Sequence, residues 1–152
     1  MPASILSYRK VSTPYTVIQA VLPDSAREND ELHCTELCTI DGITYLSVPD
    51  GVTLPDQPPE IELTPVTLSP ELREQIKAVS PHAQLISERM IQKIRAQYSV
   101  DDEMFFSRIG VGAATGMYAP TVGEMADMQA FGLFVEGVRQ WGRDERAKLG
   151  LA

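Results

Sequence analysis

The sequence contains few of the side chains that most often form metal sites and nucleophilic active sites. It has 2 cysteines and 2 histidines. His33, Cys34 and Cys38 lie together in HCTELC, whereas His82 lies in another segment. Zinc normally takes four ligands, so we predict no metal site. If TELCTI is a strand, both sulfurs lie on one face, too far apart for a disulfide within it, and we expect reduced thiols that pack as small apolar groups.

Motifs for catalysis are also missing. The sequence has no phosphate-binding loop, no H-E-x-x-H, no calcium loop and no G-x-S-x-G. A hydrolase with paired carboxylates needs only two acids that folding brings together, so the sequence leaves this class open. The acidic triplet at 101–103 fits the first turn of a helix, where acids complement the dipole. We predict that the protein is not an enzyme and binds no cofactor.

No segment is long and apolar enough for a membrane span. The chain has no run near the roughly 18 apolar residues that a span needs. The segment from Met1 to Lys10 lacks the features of a signal peptide. We therefore predict a protein without a membrane span that is made in the cytoplasm, and its apolar fraction of 43% is sufficient for a packed interior.

Clusters of basic residues are scarce, and the excess of acid lies in the first half. Residues 1–68 contain ten acids and three bases, a charge of -7, whereas residues 69–152 contain eleven acids and ten bases, a charge of -1. Binding to a phosphate backbone needs clustered Lys and Arg, so nucleic acid is not an expected partner. An acidic first half that mimics a polyanion stays open.

The first half has the patterns of β structure. ELCTI and ITYLSV are joined by Asp41-Gly42, a dipeptide typical of a two-residue hairpin turn. YTVIQAVL at 15–22 is rich in β-branched residues and predicts another strand. IELTPVTL at 61–68 alternates apolar and polar side chains. Because proline cannot donate a ladder hydrogen bond, Pro65 indicates a strand that lies at a sheet edge or is partly irregular. Such an edge either pairs with another chain or is covered by solvent.

The second half contains residue pairs that are typical of helix starts. Ser69-Pro70 and Ser80-Pro81 each place a hydroxyl at an N-cap and a proline at the first helical position. The first pair predicts a short helix, and the second predicts a helix to about residue 98. A third helix is predicted to start at Ser99, which precedes the acidic triplet.

Glycines 110, 112 and 116, in GVGAATGMYAPT, have a spacing close to the dinucleotide-binding fingerprint. That fingerprint follows a strand, whereas a helix is predicted here, and the third glycine lies one residue late. We predict instead a tight, close-packed loop between two helices. The next helix opens with the capping box formed by Thr121 and Glu124 and runs to about Leu149.

Three glycines lie inside this long helix, at 132, 137 and 142. Each costs roughly 1 kcal/mol relative to alanine. We expect the close approach of another backbone to offset that cost.

These patterns predict an α+β protein. A small N-terminal antiparallel β unit precedes a C-terminal bundle of three to four helices. The predicted division places an acidic β-rich unit with a proline-rich connector at 1–68 and a helical unit at 69–152.

Candidate contact residues lie in the helical half. Trp and Arg dominate binding hot spots, which points to the Trp141 region, although a Trp that closes the chain's own core is the slightly favoured alternative. Two adjacent phenylalanines cannot face one core, since neighbours on a helix point about 100° apart, so one of them packs on a neighbouring element or subunit. The candidate interface residues are Trp141, Arg139, Arg143, Phe105, Phe106 and Tyr118.

The runs SPHAQLISERMIQKIRAQYSVDDEMFFSRIG and FVEGVRQWGRDERAKLGL fit three successive patterns, S-P-x-x-x-L-I, I-R-x-x-Y-S-x-x-D-E and V-R-x-W-G-R. On these residues, the chain from about 69 to 151 resembles small proteins encoded among the virion and tail genes of tailed bacteriophages and prophages. The motifs describe helix faces and caps, so the resemblance brings no catalytic residues with it.

The resemblance implies a structural component of a phage particle, in the tail or at tail-fibre attachment. It would be made in the host cytoplasm, reside in the virion and contact other phage structural proteins in symmetric, repeated copies. The segment MPASILSY is a candidate for exchange between subunits. One alternative is an assembly chaperone that leaves before the particle is finished. Another is a host-directed inhibitor that acts through four acids, Asp24, Glu28, Asp30 and Glu31.

Overall fold

The computed structural model describes residues 3–23 and 33–152. It is an α+β protein in which an antiparallel sheet region precedes a helical region, as predicted. The strands are β1 (Ala3–Tyr8), β2 (Val11–Ser12), β3 (Val17–Ile18), β4 (Thr35–Ile40), β5 (Ile43–Pro49) and β6 (Thr64–Val66). The helices are α1 (Pro70–Val79), α2 (Pro81–Gln97), α3 (Val100–Thr115) and α4 (Val122–Lys148). Within the described residues, the helices lack the combination of length and apolar character needed to cross a bilayer.

The main sheet is antiparallel, with the strand order β4–β5–β1–β6. The predicted hairpin is confirmed, because Asp41 and Gly42 join β4 to β5 with φ angles of 50° and 78°, the positive values that a type I′ turn requires. The edge position of β6 is also confirmed, and Pro65 lies opposite Leu6 of β1. β1, which belongs to the segment predicted to exchange between subunits, lies between β5 and β6 of its own chain.

The strand predicted at 15–22 is wrong in extent. Only Val17–Ile18 is extended in a ladder, and it pairs with Val11–Ser12 in a separate two-stranded sheet. The Val21 N–H donates to Gln57 Oε1 at 2.8 Å, and Gln57 Nε2 donates to the Val21 carbonyl at 2.9 Å. A distant side chain therefore satisfies the backbone groups that a longer strand would have paired.

The two faces of the main sheet bury separate apolar clusters. Side chains alternate along each strand, so Ile5 and Tyr45 lie on one face while Tyr8 and Leu46 lie on the other. The first cluster contains Ile5, Leu37, Cys38, Tyr45, Ile76, Ala83 and Leu151. The second contains Tyr8, Ala20, Leu46 and Ile61.

The C-terminal residues close the first of these clusters. After α4 the chain turns at Gly150, whose φ is 74°. The Gly150 N–H donates to the Ala147 carbonyl and the Leu151 N–H donates to the Arg146 carbonyl, both at 2.9 Å, which is the Schellman arrangement of a helix end. Leu151 is consequently fully buried, with 0% exposure.

The predicted helix starts are confirmed. Ser69 Oγ accepts the Leu72 N–H at 3.1 Å at the start of α1. Ser99 and Asp102 form a reciprocal capping box at the start of α3, with bonds of 3.0 and 2.8 Å.

The loop predicted over the glycine stretch is wrong at its start, because α3 continues through Gly110 and Gly112 to Thr115. The helix ends at Gly116, whose φ is 73°. A Cβ on Gly110 would lie 3.6 Å from Met128 Sδ, and one on Gly112 would lie 2.7 Å from Tyr118 Cβ. The Gly110 distance is an ordinary van der Waals contact, so close packing requires glycine only at Gly112, and the connection to α4 is shorter than predicted.

Contacts along the chain define two compact units. One contains the described residues up to Leu85 together with Asp144–Ala152, and the other is Ile86–Arg143. The second unit consists of α3 and most of α2 and α4. We call it the helical unit.

Candidate protein interface

Four partly buried aromatic rings of the helical unit pack against one another. Tyr98 lies 5.0 Å from Phe131 and 5.5 Å from Phe134, measured between ring centroids. Phe106 stacks on Phe131 at 5.1 Å. Edge-to-face and offset contacts of this kind stabilise a packed core beyond the area that they bury.

The adjacent phenylalanines point in different directions, as the helical step requires. Phe106 is half-buried within the aromatic cluster, whereas Phe105 is 49% exposed. The two ring centroids are 5.9 Å apart. Phe105 thus extends the aromatic core to the surface of the helical unit, where a partner can reach it.

Trp141 is partly occupied within its own unit. It is half-buried, and Lys93 Nζ lies 4.7 Å from its ring centroid in a cation–π contact. Such a contact contributes about 0.5–1 kcal/mol at an exposed site. One face of the indole is therefore taken by Lys93, which favours the intramolecular role of Trp141 over the role of a principal contact residue.

The two arginines near Trp141, Arg139 and Arg143, are exposed, and Arg143 has partners on its own helix. The Arg143 guanidinium donates to Glu136 Oε1 at 2.5 Å and to Gln140 Oε1 at 2.9 Å. The hydrogen bond and charge of Arg143, with a further contribution from the charge of Arg139, hold the pKa of Glu136 below its ordinary value. Exposed pairs of this kind contribute little stability, so Arg143 can exchange its partner at low cost.

Tyr118 lies in the turn between α3 and α4. It is 47% exposed, and its hydroxyl donates to the Glu124 carboxylate at 2.8 and 3.0 Å. That hydrogen bond raises the pKa of Tyr118. Hydrogen bonds from the Thr121 N–H, which has the larger effect, and from the Tyr118 hydroxyl lower the pKa of Glu124. The aromatic ring is consequently held in a fixed position at the surface.

The six predicted interface residues do not form one site. Tyr118 lies just before the start of α4 and Trp141 lies near its end. The 19 steps along the helix from Val122 to Trp141 span about 28 Å. One partner that touches both ends must cover most of the length of α4.

The structure shows a larger set of exposed apolar residues, of which the sequence patterns singled out only Phe105 and Tyr118 as candidate interface residues. Helical spacing predicts an apolar stripe on α4 that packs inward, made of Met125, Met128, Phe131, Phe134, Val135, Val138 and Trp141. Met125 is nevertheless 44% exposed. Leu133 falls outside that stripe and is 70% exposed, and its position off the stripe is the sequence signal that identifies it. The helical unit exposes ten large apolar side chains, Ile91, Val100, Met104, Phe105, Val111, Met117, Tyr118, Val122, Met125 and Leu133.

A separate open cavity brings His82 beside the HCTE segment. It has a volume of about 580 Å³ and is lined by His33, Cys34, Thr35, Glu36 and His82. Among the described residues, no three His, Cys, Asp or Glu side chains come together in a way that would hold a metal ion. Glu36 is paired with Lys10.

The two cysteines are free thiols in the structure. Burial raises the pKa of both Cys34 and Cys38, so the unreactive thiol form is favoured. Cys34 precedes β4 and a bulge follows Glu36. The assumption that both sulfurs share one strand face is therefore wrong.

Two of the three acids at the start of α3, Asp102 and Glu103, make local contacts. Hydrogen bonds from the Ser99 backbone and side chain lower the pKa of Asp102. Glu103 accepts from Arg95 at 2.7 Å. A carboxylate with a lowered pKa stays ionised at neutral pH, which is the opposite of what a general acid needs. The four acids assigned to the inhibitor interpretation lie outside the described residues.

Comparison with protein-family models, curated proteins and solved structures finds no match for this chain.

Proposed function

We propose that this protein is a non-enzymatic structural component of a tailed bacteriophage particle, situated in the tail or at tail-fibre attachment. The proposal is carried by the ten large apolar side chains that the helical unit exposes. Extensive exposed apolar surface commonly marks a protein interaction site. The resemblance of residues 69–151 to virion and tail-region proteins supplies the biological setting.

Three of the exposed apolar side chains are largely accessible to a partner. Met117, Val122 and Leu133 are 88%, 89% and 70% exposed. Burying apolar area contributes roughly 25 cal/mol per Å², against an association cost of about 4–15 kcal/mol. Several of these side chains must therefore be buried together, as they are in a standard interface of about 800 Å² per partner.

The helical unit holds this surface in a fixed arrangement. The rings of Tyr98, Phe106 and Phe131 contact one another, and they join α3 and α4 to the end of α2. A surface on a packed scaffold loses little conformational entropy when it binds. This supports a role in which geometry, and not chemistry, is the function.

Affinity purification from phage-producing cells tests the proposal. We would compare the tagged wild-type chain with Leu133→Ser, and use Gln129→Ser as a matched control, because Gln129 is an exposed polar residue one turn earlier on α4. Loss of one buried leucine corresponds to about 10-fold or more in affinity. We expect Leu133→Ser to recover correspondingly less of the particle protein, and Gln129→Ser to behave as wild type.

The identity of the recovered protein separates the alternatives. A tail or fibre protein recovered from finished particles supports the structural role. The same protein recovered only before assembly supports the chaperone. A basic host protein as the sole partner contradicts both and supports the inhibitor.

A further inference from the structure

We draw no further inference here: the strongest candidate, the exposed apolar surface around Met117 and Val122 between α3 and α4, is an unpartnered face, and nothing in the part of the chain that the structure describes shows what covers it.

Discussion

At the scale of single residues, the three glycines of α4 have different surroundings. A Cβ on Gly142 would overlap Met90 Sδ and lie 3.0 Å from Met90 Cε, whereas nothing lies within 4 Å of one on Gly132 or Gly137. We expected another backbone to approach each of these glycines. At Gly142 a side chain, Met90, approaches instead, and at Gly132 and Gly137 the prediction is wrong because no atom is near. Sequence spacing alone cannot separate these positions, since the distinction depends on which side chain of α2 packs against each.

These surroundings predict opposite effects of alanine. Gly132→Ala and Gly137→Ala should each stabilise the protein by up to about 1 kcal/mol through helix propensity. Gly142→Ala should not raise the free energy of unfolding, and can lower it, because Met90 must move to make room for the new Cβ. Urea unfolding measures the difference, and adding Met90→Ala to Gly142→Ala should recover part of it. Equal stabilisation at all three positions would contradict the packing described here.

Glu124 predicts a dependence of stability on acid. Hydrogen bonds from Thr121 and Tyr118 lower the pKa of Glu124 in the folded state. The contribution of Glu124 to folding stability is therefore fully present above the ordinary Glu pKa of about 4.3, and it is lost as the pH falls through the lower pKa of the folded state. Thermal unfolding should show Glu124→Gln less stable than wild type at neutral pH. The two proteins should converge in acid, and a gap that does not change with pH would contradict the assignment.

At the scale of elements, the C-terminal turn is predicted to be essential to the sheet unit. Leu151 is fully buried in the cluster that contains Ile5 and Ile76. Leu151→Ala should cost about 2–5 kcal/mol, the usual range for a core leucine. Removal of Ala152, which is exposed, is the control and should change stability little. Urea unfolding with a wild-type midpoint for Leu151→Ala would show that the turn does not seal the core.

Sequence patterns predicted the elements that local interactions define. The Asp41-Gly42 hairpin and the helix starts at Ser69 and Ser99 depend on residues within a few positions of one another, and all three are confirmed. The strand at 15–22 was overestimated because Gln57, 36 residues from Val21, takes its backbone groups. Non-local contacts of this kind leave no local pattern.

The candidate interface was predictable only in part. Trp141 was favoured by composition, but the Lys93 contact is visible only after folding. Met117 and Val122 were not distinguished by any helical stripe, because their exposure results from the turn that Gly112 and Gly116 make. The absence of charge over residues 109–123 was present in the sequence and is the signal that identifies this surface.

At the scale of the whole molecule, most of the net charge lies in one unit and most of the exposed large apolar side chains of the described residues lie in the other. The helical unit is close to neutral and exposes ten large apolar side chains, whereas most of the net negative charge lies in the remaining residues. Contacts through an uncharged apolar surface resist salt, since screening weakens only charged pairs. The division into units at 1–68 and 69–152 stays a prediction, which limited proteolysis would test.

The most direct test of the structural role is to quantify this chain in purified phage particles after washing at high salt. Mass spectrometry with isotope-labelled peptides gives the number of copies per particle. The account predicts a fixed, symmetric copy number relative to the tail proteins, unchanged by the wash. Absence of the chain from finished particles that contain a full complement of tail proteins would contradict it.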